Sequence, residues 1–436
     1  MYILDRQIIS LKELDMMRYA IIGTGSRSSM YYNALVEQEE ISKEHELIAL
    51  LDLNQTRMDL VNEKLGLDLP TYKPHQFDEM IDKEKIEGIV ITTKDRHHHE
   101  YIIKGLKKGL KVITEKPMTT DEEKCQQVVD TMQETGNDLT VTFNYRYSPY
   151  RSKLKELLQK GTIGKLTMVE FHWYLDTSHG ADYYRRWHRH KENSGSLLVH
   201  KATHHFDLVN WWIDSYPTKV FAMGEKNFYK PETFPYHLRC QTCDMTDECK
   251  FFMDMSESDG LTAMYLNAEE EDGYFRDGCV FSPEIDIWDT RAITASYRNN
   301  VLLSYSLNNY APYEGYKVAF IGTKGRIEQD VIEQAYVSGH EGKPERQVPK
   351  DNIRLEVFPQ FEESYKIEVE TASSGHGGGD IRLLKDIFLE DDTADSLNRK
   401  AGGMDGAMSI LTGIAARRSI ELGRAIDVDE LVKIKE

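Results

Sequence analysis

Tyr19-Ala20-Ile21-Ile22-Gly23-Thr24-Gly25-Ser26-Arg27-Ser28 is a short apolar run that stops at a glycine-rich turn, and the amphipathic stretch Met30 to Glu40 follows it. A strand feeding a tight turn and then a helix is the opening unit of a doubly wound α/β domain. In that unit Gly23 permits the turn, and Gly25 lets the backbone approach a pyrophosphate seated on the helix N-terminus. Ser26, Arg27 and Ser28 complete the loop; Ser28 stands where a third glycine or an alanine is usual, and serine is small enough for close helix–strand packing.

The flanking sequence repeats the unit. Leu47 to Leu51, Gly88 to Thr93, Lys111 to Thr114 and Leu139 to Phe143 are apolar throughout rather than alternating, which predicts a parallel sheet covered on both faces. Gln55 to Leu65, His99 to Lys108 and Asp121 to Thr135 read as the connecting helices, with Gly109 and Gly136 at C-cap positions. This places an α/β Rossmann domain at 18–145, after an N-terminal extension at 1–17. From 146 to 436 the character changes. Lys165 to Tyr174, Thr218 to Glu225, Arg291 to Tyr297, Val301 to Asn308 and Tyr316 to Ile321 read as strands, with helices over Tyr150 to Lys160, Leu197 to Ile213, Asp380 to Leu389 and Met408 to Leu422. Strands grouped between helices predict an α+β domain with an open, mostly antiparallel sheet. A polar insertion at about 229–285 carries most of the cysteines.

The chain has 436 residues, 54 Lys and Arg against 73 Asp and Glu, and a formal net charge of −19. That excess of carboxylates argues against nucleic acid, which needs cations to displace counterions, and against an anionic membrane surface. No apolar run approaches the roughly 18 residues that span a bilayer, and Met1 to Met17 lacks the apolar core of a secretory signal. The expectation is a cytoplasmic protein with a small-molecule partner.

Asp52 ends the second strand, where a carboxylate accepts the ribose hydroxyls of NAD and repels the 2′-phosphate of NADP. Arg27 and Arg57 are cations that could offset this, so NADP stays open as the alternative. Glu115-Lys116-Pro117 follows the fourth strand, and Thr93 to His98 follows the third, at the same sheet edge. A lysine beside an oxidised nicotinamide feels a like charge that lowers its pKa toward the acid–base range. Asn144-Tyr145-Arg146 ends the fifth strand beside the same edge.

This set resembles the Gfo/Idh/MocA family, the glucose–fructose oxidoreductase and inositol dehydrogenase type. The likeness rests on the Gly23 to Ser28 loop, Asp52, Thr93 to His98, Glu115-Lys116-Pro117, Asn144-Tyr145-Arg146 and the helix Gly195 to Asp207, and it covers nearly the whole chain from about residue 18. It implies Lys116 as the catalytic lysine touching the reacting hydroxyl, with a Lys116–Pro117 bond that family members often have in the cis form. It implies His204 as a general base, with Asp207 one turn later. The family usually has Asp at position 200; this chain has His200, so either His200 takes over the polar substrate contact or the proton relay differs. Pairing through the open sheet is common in the family and implies a homo-oligomer, a dimer or tetramer.

The residues themselves add candidates. His200 and His204 are i and i+4, with Lys201 between them. Such a pair can bind metal, but no glutamate lies between them as in H-E-x-x-H. Tyr183 to His188, including Tyr184, Arg186 and Trp187, mixes donors with aromatic faces suited to sugar rings, and His376 precedes a glycine run and a helix. Cys240, Cys243, Cys249 and Cys279 fit a structural zinc site, with His237 a competing ligand; free thiols and disulfides are the alternatives. The reading is an NAD(P)-dependent oxidoreductase moving hydride between nicotinamide and a secondary alcohol of a sugar or cyclitol. A redox-neutral glycoside-cleaving enzyme that keeps NAD bound, and a non-catalytic NAD sensor, are the rivals.

Overall fold

The computed structural model describes residues 16–335, 351–370, 375–389 and 395–434. Its first sheet contains β1 (Met17–Ile22), β2 (His45–Leu51), β3 (Thr71–Tyr72), β4 (Gly88–Ile91), β5 (Lys111–Thr114) and β6 (Leu139–Val141), in the order β3-β2-β1-β4-β5-β6. All pairings are parallel. Alternate residues serve opposite faces: Ala20 and Ile22 pack with Ile89 and Ile91, whereas Tyr19 and Ile21 pack with Leu47, Leu50, Val90 and Ile113. Burial on both faces is why these strands read as unbroken apolar runs. The order reverses between β1 and β4, which opens a crevice at the carboxyl ends of the strands. The helix Gln55–Leu65 has the expected bounds, capped by the Asn54 side chain at one end and by left-handed Gly66 at the other.

The second sheet contains β7 (Leu166–Asp176), β8 (Pro217–Glu225), β9 (Thr290–Tyr297), β10 (Leu302–Ala311), β11 (Tyr313–Gly322), β12 (Gly325–Ala335), β13 (Ile353–Pro359), β14 (Tyr365–Lys366) and β15 (Ile426–Asp427). Their order is β14-β13-β12-β11-β7-β10-β9-β8-β15, antiparallel except for the β7–β10 pair. The strands β12 to β14 are not evident in the sequence. Their outer face carries Arg326, Glu328, Asp330, Arg354 and Glu356, paired in a ladder of charges that reads like a polar loop.

Two helices tie the sheets together. Gly403–Leu422 lies along β8 and the buried helix Ala202–Ile213. Gly375–Phe388, far along the chain, places Leu383, Leu384, Ile387 and Phe388 against Tyr19, Ile21, Leu47 and Leu50 of the first sheet. Each such burial stabilises by roughly 1.5–3 kcal/mol. No described helix is long and apolar enough to cross a membrane.

Candidate active site

A cavity of about 570 Å³ opens at the crevice between β1 and β4. One wall is the glycine loop. Gly23 has φ +97°, and a Cβ there would lie 2.7 Å from the Thr93 amide nitrogen, so only glycine fits. At Gly25 a Cβ would meet nothing within 4 Å; its backbone faces the open cavity, as a pyrophosphate cradle requires. Ser26, Arg27, Asp52, Arg57, Thr93 and Asn144 line the same cavity. Ser28 does not; it is buried beneath the turn and donates to the Gly25 carbonyl at 2.7 Å. Asp52 is fixed at the strand end, accepting from the Thr24 amide at 2.6 Å and the Asn54 amide at 2.9 Å.

Lys116 lies deeper. Burial lowers its ammonium to about 8, against the opposing pull of Glu115 and Asp95. The Lys116–Pro117 bond is cis. Glu115 accepts from Arg27 at 2.5 Å and from the Tyr31 hydroxyl at 2.7 Å. Burial pushes the Glu115 carboxyl up, but Arg27 and Lys116 hold it below the usual carboxylate range. Arg27 is thus committed to Glu115, not free for a 2′-phosphate. His98 bridges two loops, its ring nitrogens 2.8 Å from the Pro117 carbonyl and 3.0 Å from the Thr93 carbonyl.

The facing wall holds His179, Tyr183, Arg186, Trp187, His188 and His200. His200 Nδ1 is 2.5 Å from a carboxylate oxygen of Asp95, and both residues are buried. Burial pushes Asp95 well up and His200 well down, holding each nearer its neutral form than water would. His188 stacks on Trp187 at 3.6 Å, and its buried Nδ1 has no partner among the described residues. His179 pairs with Glu314 at 2.8 Å and accepts or donates to the Tyr183 hydroxyl at 2.8 Å. Arg186 reaches Asp182 at 3.2 Å, a carboxylate it shares with Arg276 at 2.6 Å and Arg185 at 3.9 Å.

Several sequence candidates lie elsewhere. His204 does not line the cavity; it stacks on Tyr145 at 4.5 Å. Leu197–His200 runs into Ala202–Ile213 through a helical Lys201, yet of the two histidines only His200 lines the cavity. Lys201 is buried against Glu314 at 3.6 Å, one layer behind His179. Tyr184 points away from the cavity, stacks on Tyr229 and donates to the Trp288 carbonyl, whereas its neighbour Tyr183 faces in. Arg146 grips Asp207 through two nitrogens, at 2.9 and 2.5 Å, and reaches Asp405 at 3.1 Å. It is a buried clamp between chain segments, not a substrate contact. Arg146→Ala strands the Asp207 carboxylate, so chemical denaturation is expected to show a loss of about 3–5 kcal/mol. His204→Ala, by contrast, is expected to keep turnover within about tenfold of wild type. The His376 side chain lies outside the described residues.

Asp95, His179 and His188 were not singled out by sequence reasoning, nor were Tyr265, Asp272 and Tyr274, which the insertion brings to the cavity. The quoted segments Thr93 to His98 and Tyr183 to His188 were the signal for two of them. In the insertion, Cys240, Cys243, Cys249 and Cys279 line one small second cavity, and none is bridged. His237, Cys243 and Asp244 place ligand atoms within 4.8 Å of one another, while no three of the thiols do.

The description "Oxidoreductase family, NAD-binding Rossmann fold" matches residues 17–143, and "Oxidoreductase family, C-terminal alpha/beta domain" matches 155–428, both of the Gfo/Idh/MocA type. The chain belongs to the Gfo/Idh/MocA oxidoreductase family. Within that family it is 37% identical over 439 residues to "Putative oxidoreductase YteT" of Bacillus subtilis, covering 96% of this chain and 100% of that protein. It is 22% identical over 419 residues to myo-inositol 2-dehydrogenase of Thermotoga maritima, covering 95% and 100%. A 2,7-anhydro-N-acetylneuraminate hydratase of Mediterraneibacter gnavus is 27% identical over 228 residues, covering 50% and 54%. The fold matches an Agrobacterium radiobacter oxidoreductase solved with NAD+, L-tartaric acid and magnesium at a TM-score of 0.63, 14% identity, and coverage of 95% and 99%.

Proposed function

We propose that this chain is an NAD-dependent dehydrogenase acting on a secondary alcohol of a sugar or cyclitol. The observation that carries the reading is Lys116. It is a half-buried lysine lowered to about 8, in one cavity with the Gly25–Asp52 nucleotide wall and a histidine- and aromatic-rich wall. NAD, when bound, supplies the hydride acceptor. Lys116 in its neutral form takes the hydroxyl proton, and the Asp95–His200 pair is the next group able to accept or return it. Trp187 and Tyr183 offer faces for a sugar ring. Arg186 shares the one carboxylate of Asp182 with Arg276 and Arg185, so this wall keeps positive charge and a sugar acid fits as well as a neutral polyol. The test is a screen of sugars, cyclitols and glycosides that follows NADH absorbance and released sugar together.

A redox-neutral glycoside cleavage is the second reading. The histidine-rich wall supplies more acid–base groups than one hydride transfer needs, and one relative is a hydratase. Sugar release without net NADH favours it. A non-catalytic sensor has no use for Lys116; if Lys116→Ala left every measured property intact, both enzyme readings would be lost.

Two further parts of the proposal stand apart. A second copy pairs through the open face of the second sheet, where Phe221, Met223 and Leu302 are exposed on one side; sedimentation showing only monomer removes this. Zinc held by the insertion's four unbridged cysteines, which line one cavity, would require the thiols to draw together, since no three of them lie within ligand distance of one another. Metal analysis giving well under one zinc per chain removes it.

A further inference from the structure

We infer that Glu271 and Asp272, carried by the insertion, exclude a 2′-phosphate from the adenosine end of the cofactor cavity and so restrict this chain to NAD. The inference rests on the reading of that cavity as a nicotinamide dinucleotide site.

A 2′-phosphate beyond the second strand is normally met by the amides of the following helix N-terminus and by a nearby arginine. Both are consumed here. The Glu271 carboxylate accepts from the Gln55 amide at 2.6 Å and from the Thr56 amide at 3.0 Å, the first amides of the helix Gln55–Leu65. Lys73 pairs with the same carboxylate at 3.1 Å, while Lys94 lines the cavity with its Nζ 5.0 Å from the Tyr274 ring centroid. Arg57 donates through Nε to the Met264 carbonyl at 3.1 Å and through Nη1 to Asp272 at 2.6 Å. Its Nη2 is buried without a partner among the described residues, and the side chain lines the cavity. The guanidinium sits 5.7 and 5.9 Å from the ring centroids of Tyr265 and Tyr274, which also line the cavity.

The insertion therefore closes the adenosine end with its own charges. It docks through Asn54, which donates to the Ala268 carbonyl at 2.9 Å, and through Leu60, which packs on Met264 and Tyr265. Asp272 joins Asp52 in the cavity wall around the place a 2′-phosphate must occupy, with Glu271 behind them on the helix amides; of the two cations in that wall, Arg57 is paired with Asp272 and Lys94 faces both Asp52 and Asp272. Like charges in a partly buried site repel strongly. A single Rossmann carboxylate is a selectivity device within one domain; here the insertion supplies a second one.

The test is equilibrium titration of the full-length protein with NAD+, NADP+, 5′-AMP and 2′-AMP, read by calorimetry or by tryptophan fluorescence, with no substrate and no turnover. Wild type is expected to bind NAD+ at least about a hundredfold tighter than NADP+. Glu271→Gln combined with Asp272→Asn is expected to narrow that ratio by about tenfold or more, through tighter NADP+ and 2′-AMP. NAD+ affinity should move less than about threefold, since a merely structural loss would weaken both dinucleotides alike. Glu271→Gln alone keeps an oxygen to accept the helix amides while removing the charge, and serves if the double variant does not fold. Equal binding of the two dinucleotides by wild type, or an unchanged ratio in either variant, overturns the inference. Absence of any NAD+ binding would instead overturn the dinucleotide reading itself.

Discussion

Lys116→Ala is expected to lower turnover by roughly a thousandfold or more while leaving NAD binding within a few-fold of wild type. The lysine sits where the strand β5 ends at the crevice, in the wall shared by cofactor and substrate cavities. Burial holds its ammonium at about 8, so near neutrality a useful fraction is already the neutral amine that accepts a proton. The sign of the pH effect follows. Alcohol oxidation needs the neutral amine, so its kcat/KM rises as pH climbs toward about 8 and levels above it. Carbonyl reduction needs the ammonium and falls over the same range. One pH unit below the midpoint leaves about a tenth of the amine neutral. Measuring both directions against pH checks this; matching slopes in the two directions would contradict a proton role for Lys116. Dinucleotide titration of the variant separates chemistry from binding.

His200→Asn is expected to lower kcat by about a hundredfold, and His200→Asp, which restores the residue usual in the family, to lower it further. The reason is Asp95. Its carboxylate lies 2.5 Å from His200 Nδ1, and both groups are buried. An aspartate at position 200 would face a second carboxylate there, and two adjacent buried carboxyls cannot both ionise. On the proposed reading the pair works as a unit, with Asp95 and His200 together in place of a lone acid. Asp95→Asn combined with His200→Asp is expected to recover activity relative to His200→Asp alone. Turnover and pH profiles of the three variants check this, and the absence of recovery would contradict the coupling of Asp95 with position 200.

The nucleotide half was legible because its signals are local. A four-residue apolar run at the end of β1, a glycine that must take a positive φ and a helix that starts one turn later are all set within a few neighbours in sequence. Gly23, Gly25, Asp52 and Lys116 were found that way, and each lines the cavity. The antiparallel sheet was legible where its strands alternate cleanly, as in β9 and β10, and not in β12 to β14, where charges on the outer face hid the pattern. Spacing could not separate His200 from His204: the backbone stays helical through Lys201, yet only His200 lines the cavity and the His204 ring packs on Tyr145. Composition failed at Arg146, because a buried arginine and a substrate-binding arginine look alike until the partner Asp207 is known.

By itself the sequence determined the parallel sheet, the glycine turn, the acid at the second strand and the lysine at the cavity edge, because strand period and turn geometry depend on near neighbours. Only the tertiary structure decided what each charge is for. It paired Arg27 with Glu115, Arg57 with Asp272, His200 with Asp95 and Arg146 with Asp207, over separations in sequence that no local rule spans. A buried charge must find a partner, and which partner it finds depends on how distant segments pack, so the difference between a ligand contact and a structural clamp is written in the fold.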